Sequence, residues 1–185
     1  APRSPLTVLR PFATSEDHPM SLLLASVGAV LAALLELTLV PYLDVGGAHP
    51  HLVLVATVVT SAALGLDGGL AVAVAGGLAL DVLAPRPLGM TIFVLLLVAG
   101  GVSVAARALA SVRLLAPIAL AALASPAFSL GLMAVSAIVE GRPWPADPLG
   151  LVLPGAIYDM ILAAAIGPLL VSLRARALET ERFQW

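Results

Sequence analysis

Three carboxylates occupy positions where charge is costly. Glu36, Asp81 and Asp159 each lie inside a long apolar run, and an acid at mid-membrane costs roughly 2.5–3.5 kcal/mol on insertion scales. No arginine falls within those runs to pair with them. Such an acid is hydrated near an interface, protonated, part of a polar pocket open to one side, or held by hydrogen bonds at a helix end. His49 and His51 flank Pro50, but two imidazoles without a third ligand nearby in sequence do not make a zinc site. The chain has no His-Glu-x-x-His, no Gly-x-Ser-x-Gly, no phosphate-binding Gly-x-x-x-x-Gly-Lys and no lysine at all. No catalytic residue, cofactor or metal is expected, and the chain reads as a non-enzyme.

The elements that position these acids follow from composition. Of 185 residues 61% are apolar and 11% charged, against roughly 45–50% and about 25% in soluble domains. The expectation is an all-α polytopic membrane protein. Six helices of about 20 residues need about 120 residues, which leaves no room for a soluble domain. The nine basic residues are all arginine and the net charge is −2, so no basic surface for nucleic acid is expected. Cysteine is absent, which removes disulfides, thiol catalysis and palmitoylation.

The apolar runs predict spans over Met20–Tyr42, Leu52–Leu66, Leu70–Ala84, Leu88–Ala106, Leu114–Val139 and Leu149–Leu173. Gly65–Gly69 reads as the turn between the second and third, and prolines 117, 126, 154 and 168 suggest kinks in the last two. Placing the N-terminus in the cytoplasm puts seven of nine arginines on that side, leaving only Arg86 and Arg142 outside. Basic residues are retained in cytoplasmic loops, so both termini are expected inside. The chain thus divides into an N-terminal arm (1–19), a helical bundle (20–173) and a C-terminal tail (174–185).

Small residues mark surfaces for close helix approach. Ala71, Ala75 and Ala79 recur at intervals of four beside a stripe of Ala73, Gly77 and Asp81, and Gly101 with Ala105 repeats the pattern in the fourth span. These faces serve packing within the subunit or admit a foreign helix. Span three must end before Pro85 and Pro87. The expected role of Asp81 is therefore to anchor the following turn, through backbone N–H groups near Leu88 and Gly89 or through Arg86.

The stretch Leu39–Val55, with Pro41-Tyr42-Leu43-Asp44 and His49-Pro50-His51, resembles the first-to-second span junction of the bacterial rod shape-determining protein MreD family. Gly76-Gly77-Leu78-Ala79-Leu80-Asp81 followed by Leu88-Gly89 resembles that family's Gly-x-x-x-Asp then Leu-Gly segment. Leu153-Pro154-Gly155-Ala156-Ile157-Tyr158-Asp159, then Pro168 and Arg174, resembles its last span. The chain departs from the family pattern at two points: it has His51 where Pro-Asp is common, and Asp159 where asparagine is frequent.

The resemblance implies a non-enzymatic scaffold of the cell-elongation machinery in the bacterial inner membrane. It also implies a single-span MreC-like partner, with links to MreB, RodA and an elongation-specific penicillin-binding transpeptidase. The family is also similar to the substrate-binding subunits of energy-coupling-factor transporters, which implies a rival function: a small-molecule-binding subunit with Glu36, Asp81 and Asp159 in an outward pocket. Few aromatic or hydrogen-bonding side chains are available in the outer loops to hold such a ligand.

Overall fold

The computed structural model describes residues 18–43, 49–109 and 115–182. Most of the arm, residues 44–48 of the first loop, Arg113 and the final Phe183–Trp185 lie outside the described residues.

The described residues form six helices: α1 (His18–Leu43), α2 (Leu52–Leu64), α3 (Leu66–Leu83), α4 (Met90–Ala108), α5 (Ala116–Val139) and α6 (Pro148–Arg182). Five are long and apolar enough to cross a membrane, and α2 is not. Its 13 residues rise only about 20 Å, against a hydrocarbon core of about 30 Å. Each of the six expected runs is thus a helix, five of them of spanning length and the second a short one.

The boundary between α2 and α3 also differs from expectation. Asp67, Gly68 and Gly69 belong to the first turn of α3, and the connection is the single residue Gly65. Its φ of +84° is one that a side chain would strain, so one glycine accomplishes the reversal. At the other end of the chain, α6 continues through the expected boundary at residue 173 as an unbroken helix to Arg182. Pro126, Pro154 and Pro168 lie within helices, while Pro117 occupies the first turn of α5, where its missing N–H breaks no bond.

The short helix is the hub. α1, α3, α4, α5 and α6 all pack on α2, and most of its side chains are buried, among them Val53, Leu54, Val55, Val58 and Val59. Around it, α1 packs on α3, α3 on α4, α4 on α5 and α5 on α6. Among the described residues α1 and α6 share no packed interface, so the ring has one seam. Outward-facing Leu23, Leu31, Leu97, Leu123 and Ile161 are more than half exposed, as expected of surfaces solvated by lipid rather than water.

Glycine allows the tight packing of α3. A methyl group added at Gly77 would lie 2.9 Å from Ile92 Cα, one at Gly76 would strike Val53 of α2, and one at Gly69 would strike Ser61. The Ala73, Gly77, Asp81 stripe is therefore buried between helices.

Candidate functional site: carboxylates at buried helix starts

A helix that begins inside a membrane bundle presents N–H groups with no intrahelical acceptor and no water to accept them. α2 begins this way. Val53 lies level with Gly76, seven residues before the end of α3 at Leu83, which places its first turn about 10 Å below that helix end.

Two carboxylates from opposite sides of the seam meet this turn. Glu36 of α1 accepts the Val53 N–H through Oε2 at 2.9 Å. Asp159 of α6 accepts the His51 N–H through Oδ1 at 2.7 Å, and its Oδ2 lies 2.9 Å from His51 Nδ1. Ser125 of α5 donates its hydroxyl to the same Oδ2. Because a carboxylate only accepts, Nδ1 must carry the proton. The His51 ring then stands edge-on to Phe128 of α5, with centroids 5.4 Å apart, and tilts against His49 at 5.0 Å. Gly155 leaves room on α6 for the incoming chain, since a methyl there would lie 3.6 Å from both the His49 carbonyl and His51 Cε1.

Asp81 serves the start of α4 in the same manner. Its Oδ2 accepts the Gly89 N–H at 2.9 Å and, more distantly, the Ile92 N–H at 3.4 Å, while Oδ1 accepts the Thr91 N–H at 3.1 Å. Gly89 caps α4 in the left-handed region at φ +91°. No ion pair joins Arg86 to Asp81 among the described residues, so of the two anchoring routes open to Asp81 the backbone one is occupied. Glu36, Asp81 and Asp159 are 6%, 2% and 0% exposed. A negative group at a helix N-terminus complements the helix dipole, which helps offset the burial of each.

His51 lies between α1 and α2, outside both helices. Burial disfavours its imidazolium; the Asp159 carboxylate on Nδ1 and, more weakly, Glu36 favour it, Arg86 opposes it, and the net direction is above the ordinary value near 6.5.

Inspection of the sequence alone misses His51, Ser125 and Phe128 as members of this site. His51 and Asp159 are 108 residues apart. One available signal is the length of α2: a 13-residue apolar helix cannot cross alone, so one end must be buried and needs acceptors. A second is that the two departures from the family pattern, His51 and Asp159, are bonded to each other. The residues singled out for helix contact are distributed differently. Ala71, Ala75, Ala79 and Ala105 are half-buried, while Gly101 is exposed, with open space around it. Among the described residues no cluster of three or more His, Asp or Glu side chains is arranged to hold a metal.

This is a polytopic helical membrane protein in which buried acids complete helix ends. The family model for rod shape-determining protein MreD matches residues 20–142, which run from α1 through the end of α5. The chain belongs to that family, and is accordingly a multi-pass membrane component of the rod-shape machinery. No curated protein and no solved structure matches it. Asp159 lies beyond the matched residues, yet its hydrogen-bond partners His51 and Ser125 lie within them.

Proposed function

We propose that this protein is a non-enzymatic scaffold in the bacterial inner membrane that presents its helical bundle to an MreC-like single-span partner. The same reading links it to MreB, RodA and an elongation-specific penicillin-binding transpeptidase. The observation that carries this reading is the engagement of the intramembrane acids. Asp81 and Asp159 have both oxygens engaged by protein groups, and Glu36 holds the first turn of α2. Polar chemistry thus builds the bundle and leaves its exterior apolar, as suits helix–helix association. The same engagement counts against the transporter-subunit reading, which needs those acids turned toward a ligand. The split of arginines supports an orientation with both termini in the cytoplasm, which puts the His51 end of α2 toward the outside.

The candidate partner faces are Ala71/Ala75/Ala79 on α3 and Gly101/Ala105 on α4. Of these, Gly101 has the open approach that a foreign helix requires. Leucine at Gly101 or Ala75 adds bulk that close backbone approach cannot absorb. Co-purification of an MreC-like protein with Ala75→Leu and Gly101→Leu variants is the test, with partner recovery expected to fall at least several-fold for one of them. If both variants fold and retain the partner at parental levels, neither face is the contact.

A further inference from the structure

In the ring around α2 the neighbours α1 and α6 share no extensive interface, and hydrogen bonds to one short stretch of chain bridge them. Glu36 reaches that stretch from α1 and Asp159 from α6. His51 is the only titratable side chain in direct contact with Asp159 among the described residues, and its side chain is 13% exposed. Among the described residues the charged and titratable groups acting on it are few. α1 contributes Glu36, α6 contributes Asp159, and the α3–α4 connection contributes Arg86. α5 contributes only Ser125 and the Phe128 ring, α3 carries Asp81 with both oxygens on α4 amides, and His49 is the neighbour in its own segment.

Asp159 is the carboxylate in direct contact with the ring, its Oδ2 lying 2.9 Å from Nδ1, and a proton on the imidazole places a positive charge against it. Neutral His51 keeps its Nδ1–H bond to Asp159, so protonation does not create the contact; it converts a neutral hydrogen bond into a charge-assisted one, about twice as strong. We propose that the His51–Asp159 contact is a proton-operated latch on the α1–α6 seam, fastened when the imidazole is charged and loosened when it is neutral.

The direction of the pH effect follows from linkage. A histidine that binds its proton more tightly in the folded state contributes stability that is fully present below its unfolded value near 6.5. That contribution is lost as pH rises through the folded value, which lies above it. The latch therefore holds on the acid side and slackens toward alkaline pH. The device does not depend on which partner the scaffold binds.

The test uses the full chain in lipid nanodiscs. The parent is cysteine-free, so spin labels on Leu35→Cys and Ile157→Cys, both exposed positions on α1 and α6, read the seam by distance measurement. Nitrogen NMR of the imidazoles follows protonation, with His18→Gln and His49→Gln variants assigning the His51 signal. Over roughly pH 6 to 9, where a perturbed histidine titrates, the inter-label distance is expected to be narrow on the acid side. It should broaden or lengthen in step with the His51 titration, and His51→Gln should abolish that dependence. Deprotonation of His51 at or below 6.5 overturns the latch. So does a distance distribution that stays fixed while His51 titrates, or one that still follows pH in His51→Gln. Where His51→Gln does not fold, the coincidence of the two wild-type titrations decides.

Discussion

Replacing Asp81 with leucine tests whether a buried carboxylate holds the start of α4. Leucine is apolar and of similar bulk, so the change chiefly removes acceptors. Three amides lose their partner: Gly89 and Thr91, at 2.9 and 3.1 Å, and Ile92 at 3.4 Å. Thr91 is fully buried and Gly89 partly so. A buried unsatisfied N–H costs about 1–3 kcal/mol, and loss of an N-cap acceptor costs about 0.5–2 kcal/mol. The third, longer bond adds little. The expected loss for Asp81→Leu is roughly 2–4 kcal/mol by those figures. Asparagine keeps one carbonyl oxygen in nearly the same place but turns an amide donor toward the other N–H, so Asp81→Asn should lose about half as much. Equilibrium unfolding of the purified protein in mixed micelles measures both variants. A leucine variant within about 0.5 kcal/mol of the parent, the range of an uninvolved surface change, would refute the argument. Equal losses for Asn and Leu would refute it too, because geometry and not bare charge is the proposed source of the effect.

Gly77→Ala forces a methyl against the Ile92 backbone and should cost about 1–3 kcal/mol as overpacking, whereas Gly101→Ala enters open space and should be neutral or slightly stabilising, as helix propensity dictates; the same unfolding assay compares them. Single cysteines at Ser4, Ala48, Ala146 and Thr180 report orientation. An impermeant reagent applied to intact cells should label only Ala48→Cys and Ala146→Cys; labelling at either terminus, or none at those two positions, would overturn the topology. Asp159→Leu strands the His51 N–H and the Ser125 hydroxyl together, so in the unfolding assay it should destabilise more than Ser125→Ala, which removes only one of the donors to Asp159.

Span positions were legible because lipid imposes a one-dimensional rule: about 20 apolar residues, uninterrupted, make a helix. Pro85 and Pro87 similarly announced where α3 must stop, and Asp81 lay close enough in sequence for its reach to be argued locally. The positions of α1, α4 and α5 therefore agree with the runs read from composition to within a few residues. What failed was local as well: Gly65–Gly69 reads as a loop by glycine content, but Gly68 and Gly69 are glycines because Leu64 and Ser61 crowd them. Their glycine content answers a packing requirement and does not mark a turn.

The sequence by itself determined that this chain is a helical membrane protein with costly acids inside it, since hydropathy and charge are additive along the chain and need no partner to interpret. Only the tertiary structure decided what those acids meet. α2 alone is too short to cross, so its first turn lies within the bundle and the chain leading into it makes up the depth, and the acceptors for its N–H groups come from α1 and α6 because those helices flank it in space. His51 finds Asp159 across 108 residues through the packing of five helices on one hub. Hydrogen bonds act over about 3 Å, and no pattern along the chain specifies which distant groups folding will bring to that distance.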